Sequence, residues 1–112
     1  MKTVDIKNAA AMPNPHKVKA ARVYDTENAQ AVHIALEPGE ALKKHITPVD
    51  VFFVVLEGTG IVEIGEEKCE VGQDTLIESP ARIPHCWYNE SDALLRILVV
   101  KVPRPTEQTR LL

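Results

Sequence analysis

The sequence contains four side chains of the type best suited to proton or metal chemistry near neutral pH: His16, His33, His45 and His85. A neutral imidazole is the commonest metal ligand in proteins, and its pKa near 6.5 also suits general acid or base chemistry. His45 and His85 each follow an irregular segment and precede an apolar or aromatic strand. In a β-barrel such positions can converge on one mouth, so we expect the two rings to meet. We expect His16, in a proline-rich loop, to be exposed to solvent, and His33 to be an ordinary strand residue.

Charge and cysteine content restrict the partners and the compartment. Thirteen Lys and Arg against 16 Asp and Glu leave a net charge of -3, which argues against a dedicated nucleic-acid surface. No apolar run approaches the ~20 residues of a membrane helix. Two cysteines, Cys69 and Cys86, are too few for a disulfide framework, so we expect free thiols in a reducing cytoplasm. No nucleic-acid or membrane partner is expected.

The elements that position the histidines are predicted to be strands. Val and Ile number 21 against 9 Leu, and turn signals such as Pro38-Gly39 divide the chain at short intervals. This spacing is typical of an all-β sandwich or barrel. In the strand predicted over 17–25, we place Val18, Ala20 and Val23 on the buried face and Lys17, Lys19 and Arg22 on the polar face. The predicted strands cover 3–6, 17–25, 28–37, 41–45, 51–56, 61–64, 68–71, 75–78, 85–89 and 93–102.

The twenty residues GEALKKHITPVDVFFVVLEG, from Gly39 to Gly58, resemble the first motif of the cupin superfamily. That motif runs Gly, five residues, His-x-His, three or four residues, Glu, six residues, Gly. The chain matches it at Gly39, His45 and Gly58. It departs from it at two metal-binding positions, where Thr47 stands for the second histidine and Val51 for the glutamate.

A second stretch, from Gly72 to Asn89, resembles the second cupin motif, which runs Gly, a short gap, Pro-x-Gly, two residues, His, three residues, Asn. The chain matches it at Pro80, His85 and Asn89, with a gap two residues longer than usual. Arg82 stands where the family has its second glycine. This replacement suggests either an altered loop geometry or a guanidinium at the rim of the barrel.

The resemblance implies an all-β fold, the double-stranded β-helix or jelly-roll cupin barrel, as one domain over residues 1–112 with extended N-terminal and C-terminal arms. It also implies a homodimer, because small cupins pair through an apolar sheet face. Phe52, Val54 and Leu56 supply such a face outside the predicted barrel. The terminal Leu111 and Leu112 are candidates to cross to the partner.

Cupin enzymes bind a divalent metal through both motif-one histidines, the motif-one glutamate and the motif-two histidine. The resemblance leaves this chain only His45 and His85 as metal ligands, so we expect weak binding of a divalent transition metal at most. Asp50, His33 and Glu78 are the candidates for a third ligand. Strand alternation points Asp50 away from the site that position 51 faces.

The barrel interior is also a candidate pocket for a small organic ligand. Alternation puts His85, Trp87 and Asn89 on one strand face, and Val51 and Phe53 on another. The two aromatic rings either wall a pocket or simply fill the barrel. The predicted ligand-binding residues are His45, Thr47, Val51, Phe53, Arg82, His85, Trp87 and Asn89.

Three functions remain open at this stage. The first is a cupin barrel that binds a small polar organic molecule, whose anionic or carbonyl group is oriented by His45, His85 and Arg82. The second is a metal-dependent cupin enzyme of the dioxygenase or isomerase type, with an unidentified third ligand. The third is a dimeric interaction or sensing module without catalysis.

Overall fold

The computed structural model describes all 112 residues and contains ten strands. The N-terminal strand predicted over 3–6 is wrong. A 3-10 turn covers Ile6–Asn8 instead, because the backbone and side chain of Asn8 both donate to Asp5, which satisfies these groups locally. No helix of the chain has the length and apolar character needed to cross a membrane. The strands are β1 Lys19–Asp25, β2 Gln30–Leu36, β3 Ala41–Ile46, β4 Asp50–Glu57, β5 Thr59–Ile64, β6 Glu67–Gly72, β7 Leu76–Ser79, β8 His85–Tyr88, β9 Leu95–Val102 and β10 Arg110–Leu111.

The strands form two antiparallel sheets of five, which face each other and enclose the core. One sheet has the order β1-β2-β9-β4-β7 and the other β10-β3-β8-β5-β6. This arrangement confirms the predicted double-stranded β-helix. Each large apolar side chain buried between the sheets stabilises the fold by about 1.5–3 kcal/mol. The largest are Leu36, Phe53, Val55, Trp87, Leu95 and Ile97.

Side-chain alternation holds along the two central strands of the first sheet. In β4, Val51, Phe53 and Val55 are buried, whereas Phe52 and Val54 lie on the outer face and are half-buried. The outer face of this sheet is therefore apolar, which is the kind of face that the predicted homodimer would use. The homodimer itself stays a prediction, and so does the cytoplasmic location.

A β-bulge in β3 determines which way its histidine points. Leu42 is opposite Trp87 in β8, and His45 is opposite His85, so β3 has one residue more than its partner between these pairs. Because successive strand residues face opposite sides, one extra residue reverses the facing of everything that follows. Leu42 and His45 are consequently both buried, while Lys43 and Lys44 between them are exposed.

A second bulge lies in β1, directly after Arg22. Arg22 is opposite Val32 and Tyr24 is opposite Ala31, which leaves Val23 as the extra residue. Arg22 lies two residues after Ala20 and before this bulge, so plain alternation puts it on the side of Ala20, where it lines the barrel cavity with half of its side chain exposed. Its assignment to the face opposite Ala20 is therefore wrong. The error came from counting Val23 as a core residue, although the bulge takes it out of the alternation.

The C-terminal arm folds back onto the same chain. Arg110 and Leu111 pair with Ile46 and His45 of β3, and the Leu112 N–H donates to the Lys44 carbonyl at 3.0 Å. These residues therefore add an edge strand to the second sheet. The arm also brings Thr109 to the mouth of the barrel.

Candidate functional site

His45 and His85 face each other at one end of the barrel. They are opposite residues of β3 and β8, their ring centroids lie 4.4 Å apart, and only 7% and 2% of their surfaces are exposed. The predicted meeting of two imidazoles far apart in sequence is confirmed.

His16 joins this pair, although the sequence predicted a solvent-exposed residue. Its ring is half-buried, lies 4.9 Å from that of His45, and accepts a hydrogen bond at Nδ1 from the Lys43 N–H at 2.9 Å. The loop before β1 is held over the barrel mouth, because the Met12 N–H donates to the Ala20 carbonyl at 2.8 Å. The expectation failed because proline content indicates a loop but not where that loop packs.

The backbone of Lys43, at the bulge, determines which ring nitrogen carries the proton in His16 and in His45. Its N–H donates to His16 Nδ1, and its carbonyl lies 2.6 Å from His45 Nδ1. A backbone N–H can only donate and a carbonyl can only accept. Neutral His16 therefore carries its proton on Nε2, whereas neutral His45 carries it on Nδ1 and keeps a free lone pair on Nε2.

His85 has hydroxyl partners at both ring nitrogens. Nδ1 lies 2.7 Å from Ser79 Oγ and Nε2 lies 3.3 Å from Thr47 Oγ1, and both partners are buried. The ring orientation is thereby fixed from two sides. Both nitrogens are engaged before any ligand arrives.

All three rings are neutral at pH 7. Burial lowers the pKa of His16 to about 4 and that of His85 to about 3, and the neighbouring imidazoles and Lys101 add to both shifts. Burial likewise lowers the pKa of His45, against the opposing hydrogen bond to Lys43. The site thus contains imidazoles and not imidazolium cations.

The three histidines line a cavity of about 220 Å³. Two cationic side chains, Arg22 and Lys101, reach the same cavity, and no Asp or Glu lines it. Burial, followed by the charge of Arg22, lowers the pKa of Lys101. The apolar part of the wall consists of Met12, Val18, Ala20, Val32, Ile34, Leu42, Phe53 and Val99.

Four of the eight predicted ligand-binding residues line this cavity: His45, Thr47, Phe53 and His85. The other four lie outside its wall. Val51 is a core residue beside a different cleft, and Arg82 is exposed and paired with Glu107 at 3.9 Å.

Trp87 and Asn89 lie deeper, at the opposite end of the barrel. Trp87 is fully buried, with its ring 5.4 Å from that of Phe53, so it fills the barrel as the second interpretation proposed. The Asn89 amide donates to the carbonyls of Leu36 and Ala93 at 2.8 and 2.9 Å. Asn89 therefore joins two strand ends and has no donor left for a ligand.

None of the three candidates for a third metal ligand lies at the histidine pair. Asp50 accepts the Ala81 N–H at 2.8 Å, and with Glu78 it borders a separate cleft. His33 points to the other side of β2, where its Nε2 accepts a hydrogen bond from Arg96 Nε at 3.1 Å. The predicted outward direction of Asp50 is confirmed.

The residues around the cavity do not fit a tightly held divalent metal. Of the three rings, only His45 has a free lone pair, because His16 has a proton on Nε2 and both nitrogens of His85 have hydroxyl partners. No group of three or more His, Cys, Asp or Glu side chains is arranged to hold a metal ion. The ammonium of Lys101 would also repel a cation.

Lys101 is a functional candidate that the sequence could have identified. Leu95, Ile97 and Val99 are buried alternate residues of β9, and Lys101 continues the same inward series. A lysine on the core face of a strand is unusual and marks a candidate site.

Comparisons with known proteins agree with this geometry. The family model described as Cupin domain matches residues 32–101. A search of curated proteins gives no match. The protein TT1209 of Thermus thermophilus has a similar structure, with 35% identity, a TM-score of 0.81, and coverage of 94% of this chain and 100% of that one.

Two further solved structures share the fold at lower identity. The polyketide cyclase RemF of Streptomyces resistomycificus is 20% identical, with a TM-score of 0.85 and coverage of 100% of this chain and 85% of that one. An RmlC-like cupin of Shewanella frigidimarina is 13% identical, with a TM-score of 0.76 and coverage of 87% and 86%. With a family match over more than half of its length, two facing five-stranded sheets and histidines meeting at one barrel mouth, this chain belongs to the cupin family.

Proposed function

We propose that this cupin barrel binds a small polar organic molecule in the cavity beside His45 and His85, without requiring a metal ion. The supporting observation is the composition of the cavity, in which three neutral imidazoles and two cations stand on an apolar wall. Ligand pockets have this character, mostly apolar with a few convergent polar groups. A volume of about 220 Å³ suits a ligand smaller than drug-sized molecules, whose pockets span roughly 300–1,000 Å³.

The imidazoles offer the ligand both a donor and an acceptor. Nε2 of His16 carries a proton, Nε2 of His45 carries a lone pair, and neither has a protein partner. A molecule with a carbonyl or carboxylate and a hydroxyl is complementary to this pair. Arg22 and Lys101 take the charge-bearing role that the sequence assigned to Arg82.

Cavity-blocking variants test this proposal. Metal-free protein is screened by thermal shift against sugars, carboxylates and phenolics. A ligand that stabilises the wild type should lose its effect in Val99→Phe, because Val99 lines the cavity. Val100→Phe is the matched control, since Val100 is the next residue of β9 and lies on the outer face. A flat response to the whole panel would contradict the proposal and favour the interaction or sensing module.

A metal-dependent enzyme is the second candidate, and one observation favours it. His45 donates from Nδ1 to a backbone carbonyl and keeps Nε2 free, which is how metal-binding histidines are usually oriented. Titration with Mn²⁺, Fe²⁺, Co²⁺, Ni²⁺, Cu²⁺ and Zn²⁺ tests it. A stoichiometric metal that is lost in a His45→Ala, His85→Ala double variant would support the enzyme and contradict metal-independent binding.

A further inference from the structure

Lys101 is the cation of the cavity that lacks a carboxylate partner. The structure contains six ion pairs, and none of them includes Lys101. Its one hydrogen bond, from Nζ to Thr109 Oγ1, is long at 3.5 Å. By contrast, the more exposed Lys44 approaches Glu63 within 3.6 Å. Lys101 is therefore more buried than Lys44 and yet has no counter-ion.

The rest of the cavity does not compensate this charge. No Asp or Glu lines it, and Arg22 adds a second cation. The nearest carboxylate to Arg22 is Asp25, at 3.7 Å, but Asp25 is already held by Arg104 at 2.6 and 3.3 Å. An unpaired charge in a partly dehydrated site is destabilising, because no counter-ion replaces the hydration that it loses. An anion entering the cavity would recover part of that cost.

We propose that the ligand of this barrel is a small organic carboxylate and that Lys101 binds it as the counter-ion, an inference that rests on the proposed function. The Lys101 ammonium pairs with the carboxylate, and Arg22 contributes positive potential beside it. His16 can donate from Nε2 to the same anion. Because the histidines are neutral, no imidazolium competes with Lys101 for the carboxylate. The apolar wall accommodates the remainder of the molecule.

Pairs of ligands that differ only in charge test the assignment. Binding of glycolate and benzoate to metal-free protein is measured by calorimetry and compared with glycolamide and benzamide, which have nearly the same shapes. Each carboxylate that binds should do so at least tenfold more tightly than its amide. Lys101→Met should weaken carboxylate binding at least tenfold, and Lys101→Arg should retain it within about threefold. Lys44→Met, which removes an exposed lysine outside the cavity, should leave binding unchanged.

The stability of the ligand-free variants gives an independent readout. Replacing an unpaired, dehydrated cation with an apolar side chain of similar length should raise the melting temperature of Lys101→Met by about 4 °C. A melting temperature several degrees lower would identify Lys101 as a structural residue and overturn the inference.

The outcomes separate this inference from the proposed function. Amides that bind as tightly as carboxylates, or ligands only among the neutral sugars, would overturn the role of Lys101 while metal-independent binding in the cavity stands. Carboxylate binding that survives in both Lys101→Met and Val99→Phe would contradict both, because the ligand would then lie outside the cavity.

Discussion

The two ends of the barrel are built from the same strands but differ in packing. At one end Leu36, Trp87, Asn89 and Leu95 are at most 1% exposed, and the Asn89 amide joins neighbouring backbone segments. At the other end the same strands present histidines and a lysine to a cavity. Within β8 the filled end and the cavity are only two residues apart, at Trp87 and His85.

The comparison separates the part of the barrel that stabilises the fold from the part that can bind a ligand. The filled end buries most of the largest apolar side chains, and close packing makes loss of any of them costly. The hollow end keeps buried imidazoles neutral and leaves a cation unpaired, which lowers stability unless a ligand is present. Substitutions at the filled end should therefore affect unfolding, and substitutions at the hollow end should chiefly affect binding and pH dependence.

The largest effect is expected at the filled end, for Trp87→Ala. Removal of a fully buried indole should lower the free energy of unfolding by about 3–5 kcal/mol, through lost burial and the cavity that remains. Urea unfolding followed by circular dichroism measures it, because the variant has no tryptophan. A loss below about 1 kcal/mol would show that this end is not closely packed.

An intermediate effect is expected from pH at the hollow end. The pKa of His85 is lowered to about 3, so the folded protein stays neutral there while the unfolded chain binds a proton below about pH 6.5. The stability contribution of neutral His85 is thus complete above pH 6.5 and decreases as the pH falls toward 3. At pH 5 His85 alone should account for a loss of about 2 kcal/mol relative to pH 8.

Urea unfolding at pH 8 and pH 5 measures this loss. His85→Gln is the comparison variant, because an amide can still bond to both Ser79 and Thr47 but does not titrate. The drop in stability between the two pH values should be smaller by about 2 kcal/mol in His85→Gln. Equal drops in both proteins would show that the ring is accessible to protons in the folded state.

The smallest effect concerns backbone strain, which the two ends also distribute differently. Gly58 at the filled end has φ +84°, and a Cβ there would overlap the Leu94 carbonyl oxygen, so only glycine fits. Near the hollow end Arg82 has φ +64°, and thus keeps the left-handed conformation at a position where the family motif has glycine. The loop geometry is retained in spite of the replacement.

Arg82→Gly should therefore change the free energy of unfolding by less than about 1 kcal/mol, in the stabilising direction. Arg82→Ala is the control, since both variants lose the exposed pair with Glu107 but only glycine relieves the strain. Glycine should exceed alanine in stability. Equal melting temperatures would indicate that the loop adapts to any residue.

Much of the fold and part of the site could be predicted from the sequence. Alternating apolar residues and turn signals are local, so nine of the strands were predicted within a few residues of their actual bounds. The terminal pairing of Arg110 and Leu111 with β3 was missed, because a two-residue strand has no pattern of its own. The convergence of His45 and His85 was implied by the resemblance of two stretches to the cupin motifs.

From the sequence alone, the strands and the residue types at the two motifs were determined, since these are local properties, and the resemblance to the cupin motifs implied the barrel. The direction and surroundings of the site side chains depend on the folded chain. The extra residue near Lys43 turns His45 inward, the folded N-terminal loop brings His16 beside it, and the two sheets leave Lys101 without a carboxylate. These outcomes depend on strand register and on contacts between distant segments, and one inserted residue is enough to reverse the facing of a side chain.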